Sequence, residues 1–173
     1  MGGIFLLGIN LLFAGFALTL NGVSYLTKVD DKAKAAANIL VGVIIAVNAV
    51  FQTAMATDHV TFGFSAAMWL FALNYFIIAT HIIIKADSWK VFGLYGFFAS
   101  VVSLVFAGDT FINNGPWEMV YMWLMWAVLW AQSFFAIMPD IKAVDKFTPH
   151  ILIINGIAST FIPGLLILLG IIL

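Results

Sequence analysis

Trp123, Trp126 and Trp130 recur at i, i+3 and i+7 and so share one helical face. At 1.5 Å per residue they extend over about 10 Å of helix, deeper than an aromatic belt at one membrane interface requires. A wall of indole faces lets a planar neutral molecule slide, and it offers an ion nothing to replace its hydration shell. The same three residues would serve equally as packing or lipid-facing tryptophans. Amide side chains are the second chemical resource: Asn10, Asn21, Asn38, Asn48, Gln52, Asn74, Gln132 and Asn155 all lie in apolar stretches. Each is costly in lipid and must face another helix or a polar cavity. One use is an interhelical hydrogen bond worth about 0.6–2 kcal/mol. The other is to line a path for a small neutral solute, which an amide meets as donor and acceptor at once.

Other chemistry is missing from the apolar stretches. No lysine, aspartate or glutamate falls near the middle of any of them, and intramembrane charge is what proton relays and ion-coupled pumps need. No glycine loop for phosphate is present, nor a mid-span lysine to hold retinal. The three histidines are His59, His81 and His150. His81 and His150 both sit toward the same side, but two imidazoles without a third ligand make a poor metal site. A membrane-embedded enzyme built on that pair is the competing class. The sequence also lacks cysteine, hence disulfides, thiolate metal sites and a cysteine nucleophile. Neither a metal nor a cofactor is expected.

The elements that must position these side chains follow from composition. The 173 residues are 64% hydrophobic and 9% charged, with a mean hydropathy of +1.13; a soluble domain carries about 25% charged residues. Eight acids and seven lysines cannot cover a soluble exterior, so lipid replaces water. A net charge of −1 with no arginine excludes a nucleic-acid partner. Roughly 20 apolar residues cross a bilayer, and six such stretches run near 4–26, 35–56, 61–84, 91–108, 117–138 and 149–172. The first has no basic region ahead of it and is expected to be a retained helix, not a signal peptide.

All seven lysines fall in three connections: Lys28, Lys32 and Lys34; Lys85 and Lys90; Lys142 and Lys146. Positive loops stay in the cytoplasm, which puts both termini, with Asp58, His59, Asp109 and Glu118, outside. Lys28, Lys85 and Lys142 are spaced 57 residues apart, each opening a similar motif: Lys28-Val29-Asp30, Lys85-Ala86-Asp87 and Lys142-Ala143-Val144-Asp145. Trp69 and Trp126 are also one period apart. We read one transmembrane domain of three tandem helical hairpins, approximately 1–58, 59–114 and 115–173. Helices of equal length under a shared loop-charge rule would produce the same spacing. An even number of spans per unit makes the repeat parallel, so three hairpins can surround a pathway along the membrane normal.

The sequence resembles the AmiS/UreI family of urea and short-chain amide channels from its first span to its last. The resemblance rests on Asn21-Gly22, Leu26-Thr27-Lys28-Val29-Asp30, Asn38 and Gly42; on the run from Trp123 through Trp126 to Trp130; and on Lys146-Phe147-Thr148-Pro149, Ile153-Ile154-Asn155-Gly156-Ile157 and Ile162-Pro163. It implies an all-α six-helix protomer with three repeated hairpins around its own pore. It further implies a homohexamer with a lipid-filled centre, in a bacterial cytoplasmic membrane with both termini outside. Urea or a related amide would pass toward a cytoplasmic urease or amidase. Pore-lining roles carry over to Trp123, Trp126, Trp130 and Tyr75, and Asn21 joins them as a solute-binding candidate. Asn155 stands where urea-channel members carry a glutamate, and Leu73 and Ile77 where others have aromatics. The outer loops are short and hold one histidine, His59, whereas acid-gated members have longer, histidine-bearing ones. The expectation is transport without steep acid activation.

Overall fold

A computed structural model describes residues 2–139 and 141–173, and all of its regular structure is helical. The helices are α1 (Gly2–Leu26), α2 (Asp31–Met55), α3 (His59–Ile83), α4 (Lys90–Ile112), α5 (Trp117–Ile137), α6 (Lys142–Asn155) and α7 (Ile162–Leu168). A π-helical turn, Gly156–Phe161, joins the last two into one span, Lys142–Leu168. Six helical segments are thus long and apolar enough to cross a membrane, and the protein is a multi-pass membrane protein.

Local chemistry sets the ends. Asp30 caps α2 by accepting from the Ala33 N–H at 2.9 Å. Asp58 caps α3 in a reciprocal box with Thr61. Lys85 and Asn114 take left-handed backbone, φ 51° and 52°, just beyond the ends of α3 and α4. α4 therefore runs on to Ile112, past the expected stop at Gly108. The reason is that Asn113, not the glycine, ends it, its side-chain amide donating to the Asp109 carbonyl at 2.9 Å.

The sixth span also departs from expectation. Pro149 was read as its start, but it lies inside α6, which begins at Lys142. Proline is tolerated within membrane helices when side chains or neighbouring helices satisfy the freed backbone. Further along, Pro163 has no N–H to give the preceding turn, and the chain widens ahead of it: the Ile162 N–H reaches back five residues to the Ile157 carbonyl. Side chains take up the carbonyls loosened by this turn. Ser159 Oγ donates to the Asn155 carbonyl at 2.8 Å, and Thr160 Oγ1 donates to the Gly156 carbonyl. From α5, the Tyr121 hydroxyl donates to the Ala158 carbonyl at 3.3 Å.

The helices close into a ring: each packs on the next in chain order, and the sixth span returns to α1. The tightest packing joins α2 to α3, α4 to α5, and the sixth span to α1, so the closest partners belong to different units of the 57-residue reading. Glycines permit two of these approaches. A Cβ on Gly96 of α4 would sit 2.6 Å from the Trp130 carbonyl oxygen of α5, and one on Gly15 of α1 would sit 2.6 Å from the Gly156 carbonyl oxygen. In lipid such backbone proximity replaces the hydrophobic effect as the source of helix association. The looser α3–α4 contact is bridged by the Tyr95 hydroxyl, which donates to the Leu70 carbonyl. Trp69 and Trp126, one period apart, differ in environment, 38% and 0% exposed.

Gly96→Ala is expected to force α4 and α5 apart at a cost of about 1–3 kcal/mol. Gly108→Ala, whose new methyl would meet nothing within 4 Å, serves as the control. Thermal unfolding in detergent micelles should show a lowered midpoint for the first variant only; equal midpoints would refute the close-approach account.

Candidate functional site

Inside the ring, α3 and α5 present aromatic side chains to one another. Trp123, Trp126 and Trp130 are all essentially buried, as their shared helical face requires if that face points inward. Phe106 of α4 stacks on Trp123, with centroids 4.9 Å apart and planes at 13°. Trp123 meets Trp126 edge-on at 5.1 Å. Phe71 of α3 then packs against both Trp126 and Trp130 at 5.1 Å, edge-on to the former, and stacks on Tyr75 at 6.3 Å. These rings form a continuous column along the ring interior. Such pairs are each worth about 0.5–1.5 kcal/mol beyond area burial.

Polar handles fix the column. Tyr75 is fully buried and its hydroxyl crosses to α1, donating to the Ala14 carbonyl at 2.8 Å. Trp130 Nε1 donates to Asn74 Oδ1 at 3.3 Å. Trp126 Nε1 differs: it is buried with no hydrogen-bond partner. An orphan donor costs roughly 1–3 kcal/mol where a partnered one would not, and this one sits at the middle of the column.

A cavity lies at each end. At the lysine-free end, a pocket of about 40 Å³ is lined by His59, Phe64, Phe106, Asp109, Asn113 and Trp123, among others. At the lysine end, a cavity of about 220 Å³ reaches Asn21, Tyr25, Lys34, Gln132, Asp145 and Thr148. Along α5, the first touches Met119 and Trp123 and the second begins at Gln132. The interval between them holds Trp126 and Trp130. The column therefore lies between two cavities, and it holds stacked ring faces, one buried N–H without a partner and no charge.

Most of the amides tie helices together. Asn21 and Asn38 exchange two hydrogen bonds of 2.9 Å between α1 and α2. Asn48 donates to Asn10 Oδ1 at 2.9 Å across the same pair of helices. Gln132 accepts from Thr148 Oγ1 at 2.7 Å, linking α5 to α6. Asn155 is turned onto its own span, donating to the Ile151 carbonyl at 3.1 Å and accepting from Ser159 Oγ at 3.1 Å, where it heads the π-helical turn.

Two residues expected in the pore, Leu73 and Ile77, lie off the buried strip of α3. Leu73 is 47% exposed, and Ile77, one turn along the same strip, is half-buried. The inward strip of α3 runs instead through Phe71, Asn74, Tyr75 and Ile78, all buried. Phe71, placed one turn before Tyr75, was missed; i, i+4 spacing from that tyrosine was the available signal. His81 is stacked on Trp89 at 4.8 Å and its Nδ1 donates to the Ile77 carbonyl at 2.9 Å, whereas His150 is exposed. Among the described residues, no three His, Cys, Asp or Glu side chains gather as a metal site.

Known proteins share this arrangement. The chain is 30% identical to the acid-activated urea channel of Helicobacter pylori, over 94% of its own length and 97% of that protein's. It is 21% identical to a Mycolicibacterium smegmatis protein described as a candidate transporter of amidate substrates, over 94% of this chain and 76% of that one. The crystal structure of the urea channel from H. pylori superposes with a TM-score of 0.82 at 28% identity, covering 96% of this chain and 99% of the other. The electron cryomicroscopy structure of that channel in its closed state gives 0.80 at 28% identity, covering 94% and 97%. The family match itself runs from residue 6 to residue 171, and with the ring and its aromatic column it places this chain in the AmiS/UreI family of transporters.

Proposed function

We propose that this protein is a passive channel for urea or similarly small neutral amides. The observation that carries this reading is the unpaired Trp126 N–H, held between two vestibules by stacked and edge-on rings. A planar carbonyl compound satisfies that donor and lies flat on indole. An ion entering the column loses its hydration, a penalty of many kcal/mol, and meets no compensating charge. Kinship with a urea channel and a described transporter of amidates supports both substrate classes. A difference of one methyl is worth only about 1–3 kcal/mol in a fitted pocket, so short aliphatic amides are the second reading. The pore-lining assignment extends to Trp123, Trp130, Tyr75 and Phe71, with Asn21 at the lysine-side vestibule.

The lysine loops belong in the cytoplasm by the positive-inside rule, which leaves both termini outside a bacterial inner membrane. Solute leaving the lysine side meets a cytoplasmic urease or amidase. Exposed apolar side chains such as Phe16, Phe98 and Val128 suit lipid and neighbouring protomers in a homohexamer with a lipid-filled centre. The repeat supports three hairpins as the evolutionary unit, with boundaries in the 56–58 and 113–116 connections.

The lysine-free mouth carries Asp58, His59, Asp109 and Glu118. The Thr61 backbone N–H, with its hydroxyl, holds the Asp58 carboxyl below the usual carboxylate range. A depressed carboxylate stabilises its cap above the ordinary value and loses that effect only as pH falls through the lowered one, so the α3 cap persists in mild acid.

Two measurements test the proposal by stopped-flow light scattering on proteoliposomes. Trp126→Phe keeps a ring but removes the N–H, and urea permeability should fall roughly three- to tenfold, the worth of one neutral hydrogen bond. Wild-type flux from Trp126→Ala protein that is still assembled would sink the pore assignment and favour a scaffold. Between outer pH 7 and 5, permeability should change by less than about threefold, as short, histidine-poor outer loops and a cap that persists in mild acid imply; a rise of tenfold or more would overturn the shallow response.

A further inference from the structure

The cavity at the lysine end holds about 220 Å³, room for several waters or a small solute, since one water's share of liquid is about 30 Å³. Its polar walls are also built. Asn21, Gln132, Ser133 and Thr148 all line it and all are more than nine-tenths buried. Their hydrogen bonds orient them without using them up. An amide side chain has two N–H donors and two carbonyl lone pairs. Asn21 commits one of each to Asn38. Gln132 gives one N–H to Ser133 Oγ at 2.9 Å and one lone pair to the Thr148 hydroxyl at 2.7 Å. Each amide keeps one donor and one acceptor uncommitted to another protein group, and both residues line the cavity, one on α1 and the other on α5.

We infer that this cavity is a second recognition station, a binding site for the carboxamide or ureido group, with Gln132 as its central residue and Thr148 as the residue that positions it. The inference rests on the channel reading above and names where part of its selectivity arises. A solute leaving the aromatic column exchanges ring contacts for paired amide hydrogen bonds before it reaches water. A carbonyl flanked by NH2 matches the donor–acceptor pair that each protein amide holds out. A polyol matches it poorly, and water gains little from two fixed planar groups. Lys34, whose Nζ stands 5.4 Å above the Tyr25 ring, and Asp145 border the same cavity. They bring one charge of each sign to its rim, so the station is not tuned for either ion class. Apolar Ile78, Phe92 and Leu152 complete the wall and suit the faces of a flat solute.

The test measures urea and osmotic water permeability on the same proteoliposomes for wild type, Gln132→Met, Thr148→Val and Thr148→Ser. Gln132→Met keeps the volume and removes both hydrogen-bonding functions. It should lower urea permeability roughly tenfold while leaving water permeability within about twofold. Thr148→Val should lower the urea-to-water ratio in the same direction by a smaller factor, and Thr148→Ser, which keeps the hydroxyl, should restore it. A loss of packing would instead reduce urea and water together. Parallel reduction, or an unchanged ratio in both Gln132→Met and Thr148→Val, overturns the station while leaving the channel intact. Wild-type protein that passes no urea or acetamide would remove the channel reading, and the station would fall with it.

Discussion

Phe71 reaches across the interior of the ring to touch Trp126 and Trp130, and the rest of the architecture is arranged around that contact. α3 and α5 are not sequence neighbours, and beyond this contact they are joined by the hydrogen bond from Trp130 Nε1 to Asn74. Their separation is fixed by the helices between and behind them, above all by α4, whose Gly96 lets it press against the backbone of α5 at Trp130. A ring of helices packed through glycine is therefore what makes a narrow aromatic passage possible in a chain of this size.

Lipid explains the division of labour among the polar residues. Water is not available to satisfy an amide in the hydrocarbon core, so each one must be answered by protein. Asn21 with Asn38, Asn10 with Asn48 and Gln132 with Thr148 do this between helices, and they hold the ring in register. Asn10 Nδ2, Gln52 Oε1 and, at the centre of the column, Trp126 Nε1 are buried without such a partner. A buried donor surrounded by rings and without a protein partner is unfavourable, and a carbonyl oxygen would relieve it. In the proposed channel that difference would lower the cost of leaving water for a urea or amide without creating a deep well, which suits conduction better than tight binding.

The sixth span shows how function and backbone irregularity meet. Pro149 and Pro163 each withdraw an N–H, and the intervening π-helical turn places Asn155, Ser159 and Thr160 on the inward side. The Ser159 and Thr160 hydroxyls pair with carbonyls at the head of the turn, while the Asn155 amide donates one turn back to the Ile151 carbonyl, so these polar groups are occupied. π-helical turns of this kind occur frequently at functional sites, and here the turn lies where α1 approaches most closely, at Gly15.

Residue types alone determined that this protein spans a membrane six times, that all its lysines lie at one end, and that three indoles share a face, because hydropathy and helical periodicity are local properties. They also carried the family likeness. Three features depended on tertiary structure. Leu73 and Phe71 differ by two residues and point to opposite sides of α3, and only the docking of that helix decides which of them enters the passage. Pro149 and Pro163 announce disturbance, but whether a proline begins a helix or bends one depends on neighbours able to satisfy the freed carbonyls, as Ser159, Thr160 and Tyr121 do. The amides could bind solute or each other with equal chemistry. Partner choice is a matter of distance between helices far apart in sequence, so the pairing of Asn21 with Asn38, and the loneliness of Trp126 Nε1, became visible only when the ring closed.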